Sequence, residues 1–185
     1  MIRSMSAIAC FRQRSRYAKL SAMINVAAVE QLDSGQYLYL RELSEPHDNS
    51  LKLVVEEAVV NRSGFVRTDP ELDAILTNAS PIESVKGCKA FEIYWKHYVA
   101  YLVTEELVGS NAETGYDDEC YTGKLLRVYS KSHFLDHLAR DTGGHIEPLR
   151  HYKVVCLNHL IDVAAYTPPE VRVLAGDSKM SSRTQ

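Results

Sequence analysis

No stretch of this 185-residue chain approaches the ~20 consecutive apolar residues that a membrane-spanning helix needs. Its four cysteines, Cys10, Cys88, Cys120 and Cys156, stand far apart and form no C-x-x-C pair. That spacing excludes a dense disulfide scaffold and suits a reducing, cytoplasmic compartment. No G-x-x-x-x-G-K or G-x-G-x-x-G loop occurs, so nucleotide chemistry has no local support and no cofactor is implied. Acid is missing from one end: residues 1–22 carry Arg3, Arg12, Arg14, Arg16 and Lys19 and no carboxylate. Taking those five from the 21 basic residues leaves 16 against 24 acidic ones, a balance of −8 for the remainder against −3 for the whole.

The leader therefore has the make-up of a basic arm or a transit peptide, without the apolar core of a secretory signal. It also fits a start placed too early, with Met5 and Met23 as further starts, because ordered patterning begins near Val26. An acidic body argues against nucleic acid as the main partner, since phosphate neutralisation needs clustered Lys and Arg. What is present is ordinary for one globular domain: 45% apolar and 24% charged residues. The expected organisation is a basic leader over 1–25, a single domain over 26–174 and a polar, disordered tail over 175–185.

Strand patterns dominate the domain. "QYLYLREL" (36–43) and "LKLVVEEAVV" (51–60) flank the turn-rich "SEPHDNS" and read as a hairpin. Glu57 falls on the apolar face of the second run, as an edge, a cation partner, a bulge or a nearby strand end would allow. "AFEIYWKHYVAYLVTEEL" (90–107) alternates from Phe91 to Val103, long enough to predict a bend near residues 96–98. Two helices are expected. One lies in "TDPELDAILTN" (68–78), with Asp69 as N-cap and Pro70 at the first helical position. The other follows Ser132 and stops at Gly143 and Gly144. The predicted fold class is α+β: one domain, an antiparallel sheet of six to eight strands, and two short helices.

Chemistry-bearing residues concentrate in "HYKVVCLNHLIDVAAYTPPEV" (151–171), which holds Cys156, Asn158, His159 and Asp162. Read as one strand through residue 164, it puts Tyr152, Val154, Cys156, Asn158 and Asp162 on one face and His151, Lys153 and His159 on the other. A Cys156–His159 dyad then fails unless a bulge near Asn158 re-aims His159. Cys156 behaves as a small buried apolar residue unless a distant histidine, His97 or His133, activates it. His97 falls on the apolar face of its run. His133 and His137, four apart on a helix, could begin a metal site, but the Glu of H-E-x-x-H is absent and a third ligand is needed. The loop "GSNAETGYDDECYTG" (109–123) lacks EF-hand spacing and reads as a solvated acidic surface. Its Glu113, Tyr116, Asp117, Asp118, Glu119 and Tyr121 are the candidate partner-binding residues, with Tyr94 and Tyr98 as further exposed tyrosines.

The segments "YLYLREL", "EPHDNSL", "FEIYWKHYVAYLVTEE", "YSKSHFLDHL" and "HYKVVCLNHLIDV" together resemble a family of small bacterial proteins that is itself uncharacterised. The likeness runs over about residues 36–164. It implies a bacterial cytosolic α+β domain and brings no catalytic residue with it. In size and charge the chain is also similar in general type to toxin-blocking immunity proteins. The expectation is a non-enzymatic protein-binding module for a basic partner. A cysteine-dependent hydrolase or transferase built on Cys156 is the alternative.

Overall fold

The computed structural model describes residues 25–61, 80–105, 118–144 and 149–175. Among them the chain forms α1 (Val26–Ser34), β1 (Tyr37–Ser44), β2 (Leu51–Val60), β3 (Ile82–Glu83), β4 (Ala90–Trp95), β5 (Ala100–Glu105) and β6 (Cys120–Thr122). It continues with β7 (Leu126–Lys131), α2 (His133–Asp141), β8 (Arg150–Val155), β9 (His159–Ala165) and β10 (Glu170–Leu174). All pairings are antiparallel. A first sheet runs β1-β2-β4-β10, with β3 on β2, and a second runs β5-β9-β8-β7-β6. The fold is α+β, as the patterning predicts.

Period-two alternation sends one face of each sheet inward. Leu51, Leu53 and Val55 of β2 and Phe91, Ile93 and Trp95 of β4 meet Tyr152 and Val154 of β8 and Ile161, Val163 and Ala165 of β9 in one core. Each fully buried Leu, Ile, Val or Phe among them contributes about 1.5–3 kcal/mol. Helix α1 adds Ala28 and Leu32 to this core and touches β7 and β10, one strand from each sheet. Its carboxylate Asp33 accepts the N–H groups of Leu125 at 2.8 Å and Leu126 at 3.0 Å, which fixes the turn before β7. Gly123 in that turn has φ +88°, and a Cβ there would lie 2.1 Å from the Leu126 carbonyl oxygen, so only glycine fits.

Several expectations change. The run from Phe91 to Val103 breaks at residues 96–99, where the bend was expected, but the break hands the chain from the first sheet to the second. His97 lies in that link and is exposed, not on an apolar face. The run 151–164 is not one strand: residues 156–158 turn it into the β8–β9 hairpin, with the Cys156 N–H donating to the His159 carbonyl at 3.0 Å. Two divided runs help raise the strand count above the expected six to eight. Helix α1 was not foreseen, since only Ala28 and Leu32, four apart, mark a buried stripe. The helix at 68–78, most of the leader and most of the tail lie outside the described residues. The helix after Ser132 forms as expected, with Ser132 as N-cap and positive φ at Gly143 and Gly144. Glu57 sits where the alternation of β2 slips, and its Oε2 accepts the Lys89 N–H at 2.9 Å.

The hairpin turn also covers an edge. The Leu157 N–H donates to the Leu38 carbonyl at 2.8 Å. The Asn158 amide accepts the Leu40 N–H at 2.9 Å and donates to the Leu40 carbonyl at 3.1 Å. Strand β1 ends its sheet, so these bonds occupy main-chain groups that would otherwise invite another strand. They tie the two sheets at the same time.

Candidate binding cleft on the second sheet

The hairpin brings together two residues that a single strand would have separated. His151 on β8 and Asp162 on β9 both point to the outer face of the second sheet, and Nε2 of His151 lies 2.7 Å from Oδ1 of Asp162. The other ring nitrogen, Nδ1, lies 2.7 Å from the hydroxyl of Ser132. An ionised Asp162 only accepts, so in the neutral ring Nε2 carries the proton and Nδ1 receives the Ser132 O–H. Ser132 also caps α2, its Oγ accepting the Leu135 N–H at 3.2 Å. All three are buried: Ser132 is 3%, His151 1% and Asp162 7% exposed. Tyr129 stacks on the imidazole at 4.2 Å and 17°, and Phe134 meets it edge-on at 5.2 Å.

The order Ser–His–Asp is that of a hydrolase triad, and the chemistry stops there. A nucleophile must reach substrate, whereas the Ser132 hydroxyl is enclosed and already serves as a helix cap. What the chain of bonds does is clamp the β7–α2 junction to β8 and β9. A buried polar line with every member satisfied rigidifies its surroundings.

Beside this clamp lies an open cleft of about 600 Å³, walled by Glu119, His133 and Phe134 and by the rings of Tyr121 and Tyr129. Its floor is a cross-strand row fixed by register: Leu102 opposite Asp162, Asp162 opposite Lys153, and Lys153 opposite Arg127. Lys153 Nζ is 3.1 Å from Asp162 Oδ1. Burial alone would lower the Lys153 pKa, but Asp162, with Tyr129 and Glu119, more than offsets it and the net shift is upward. Burial pushes the Tyr129 hydroxyl up, against Lys153 and Arg127, which pull it down. Arg127 lays its guanidinium over the Tyr121 ring at 4.6 Å, donates from Nε to the Lys124 carbonyl at 3.3 Å, and forms no ion pair among the described residues.

Of the residues singled out from sequence, Glu119, Tyr121, His133 and Asp162 line this cleft and the other described ones lie elsewhere. Tyr121, 48% exposed, and Glu119 line it. Glu119 Oε1 accepts the His133 N–H at 2.8 Å, and Asp118 binds both Lys131 and, at 2.8 Å, His133 Nε2. The charge of these two acids is thus used within the chain. Glu113, Tyr116 and Asp117 lie outside the described residues. Tyr98 is not a bare surface ring: its hydroxyl and that of Tyr101 both donate to Glu45 Oε1, at 2.9 and 2.8 Å, and Tyr94 is half-buried. His137 is exposed and faces Asp141 at 3.5 Å. Among the described residues no three His, Cys, Asp or Glu side chains converge on a metal position. The Cys156 thiol is 2% exposed, and burial pushes its pKa up to about 12, opposite to the depression an activated thiolate needs. Cys88 is also a free thiol, while Cys120 is disulfide-bonded, which the reducing-compartment expectation did not anticipate.

Missed from sequence were the His151–Asp162 pair, Arg127 and the stacking of Tyr129. The available signal was Asn158, a poor strand residue in the middle of an apolar run. No protein-family model, curated protein or solved structure matches the chain. Roles for these residues therefore rest on their geometry. No helix among the described residues is long and apolar enough to cross a membrane.

Proposed function

We propose that this chain is a non-enzymatic binding protein that docks a protein partner in the cleft on the outer face of its second sheet. The observation that carries this reading is Arg127, a guanidinium with no carboxylate partner among the described residues, stacked on the exposed ring of Tyr121 at the cleft mouth. Tyr and Arg are the residues that most often dominate binding energy at protein interfaces. The clamp beneath gives these side chains a rigid base, and rigidity reduces the entropy lost on association. A toxin-blocking role of the immunity type is one form of this function. The cysteine-dependent alternative loses support from the buried, protonated thiol of Cys156.

The test is site-specific photocrosslinking in extract of the cells that make the protein. A benzophenone side chain in place of Tyr121 should give one discrete heavier species, and the same group in place of Tyr94 on the other sheet should not. Equal products from both positions, or none from Tyr121, would remove the basis for a binding cleft.

A further inference from the structure

The floor of the cleft has an unequal charge pattern. Adjacent strands are about 4.8 Å apart, so the row from Leu102 through Asp162 and Lys153 to Arg127 spans roughly 14 Å. It holds one carboxylate and two cations. Asp162 is already committed, since the same oxygen meets His151 at 2.7 Å and Lys153 at 3.1 Å. Lys153 and Arg127 stand directly opposite each other across the β7–β8 pair, an arrangement that costs stability when no anion intervenes. Glu119 on the wall is held at the His133 N–H and forms no ion pair with Arg127. With Nε bonded to Lys124, one face of the guanidinium on Tyr121 and the Tyr129 hydroxyl as a further hydrogen-bond neighbour, the terminal nitrogens of Arg127 keep the fork geometry that matches a carboxylate. At the other end of the row Leu102 is 50% exposed.

Resting on the binding reading above, we infer that the row is a recognition track for an extended acidic peptide segment of the partner. A Glu or Asp carboxylate seats on the Arg127 fork beside Lys153, and an apolar side chain four residues away covers Leu102. An extended chain advances about 3.3 Å per residue and returns a side chain to the same face at every second position. Residues i and i+4 therefore share a face roughly 13 Å apart, the length of the row. A lone small anion would engage Arg127 and leave Leu102 bare.

The probe is the peptide acetyl-Ser-Leu-Thr-Val-Thr-Glu-Ser-amide, titrated into the isotope-labelled full chain and followed by NMR. The resonances expected to move are the Arg127 Nε–H and the amides of Lys153 and Leu102. Replacing the peptide's Glu by Gln should weaken binding about tenfold or more, the usual worth of a charged hydrogen bond. Arg127→Gln should bring the same loss. Combining the two changes should add little further, and Arg127→Lys should fall between because it keeps charge without the fork. The inference is overturned if the Glu peptide moves none of these resonances up to about 2 mM. Equal binding of the Gln peptide, unchanged binding by Arg127→Gln, or equal shifts from inorganic phosphate alone would overturn it too. If the Tyr121 crosslink forms equally well in Arg127→Gln, the binding function stands and the carboxylate contact falls. If Tyr121 captures nothing, the function itself falls.

Discussion

The two sheets share one core but present opposite kinds of surface to the outside. On the first sheet the charges are matched and wet: Arg41 with Glu56 at 2.7 Å, Lys52 with Glu42 at 2.7 Å, Arg172 with Glu170 at 2.6 Å. No residue there is asked to bury a charge. On the second, His151 and Asp162 are taken almost wholly from water beneath Phe134 and Tyr129, while Arg127 has no counter-ion among the described residues. Burying ionisable groups is costly unless each finds a partner, so a sheet needing only to fold would carry the first kind of face twice. The difference marks the second face as built for more than solubility.

Removing one carboxylate from each face gives the largest expected contrast. Asp162→Ala strands the Lys153 ammonium and the His151 ring in a site with little water, and should lower the unfolding free energy by roughly 3 kcal/mol. Glu56→Ala breaks an exposed pair and should change it by no more than about 0.5 kcal/mol. Urea denaturation of the two variants reads both values. Equal losses would erase the distinction between the faces.

The helix caps sharpen the same comparison on a smaller scale. Ser132→Ala removes an enclosed hydroxyl that serves both α2 and His151, and should cost about 1–2 kcal/mol. Asn25→Ala removes a longer, 3.3 Å cap bond at α1 and should cost about 0.5 kcal/mol. Thermal unfolding of the pair is the check. The reverse ranking would mean that the Ser132–His151–Asp162 line contributes nothing beyond its neighbours' packing.

How much of this was legible follows from what alternation can encode. The inward faces of β2 and β4 were readable, because Leu51, Leu53 and Val55 and then Phe91, Ile93 and Trp95 keep period two. The cap at Ser132 was readable from local chemistry. The cleft was not, because its residues come from five strands and a helix end, and only pairing register makes neighbours of Leu102, Asp162, Lys153 and Arg127. One misplaced turn was decisive. Treating residues 151–164 as a single strand put His151 and Asp162 on opposite faces, whereas the turn at Leu157 and Asn158 folds them onto the same one. That turn uses Asn158 to bond β1, a long-range role that leaves no local pattern beyond an amide among apolar residues.

The smallest effects test whether burial, rather than charge alone, separates the faces. Asp118, held by Lys131 and then His133, and Glu42, held by Lys52 and then Ser44, are exposed carboxylates on opposite sheets, and both have their pKa lowered. A lowered folded-state pKa means stability that is complete above the unfolded carboxylate value, near 4, and is lost as pH falls through the folded value. Asp118→Asn and Glu42→Gln should therefore each melt slightly below wild type at pH 7, with the gap closing below about pH 3. About 1 M salt at pH 7 should close it too, since the screening length is then roughly 3 Å. The deficit of Asp162→Ala should largely persist in that salt, because the lost contacts are made by the nearly buried Asp162 and His151 side chains, which salt screens less than exposed charges. If salt rescues Asp162→Ala as fully as the other two, the second face is as wet as the first, and the unpaired Arg127 then sits in bulk solvent, where a carboxylate contact would contribute too little to select a partner.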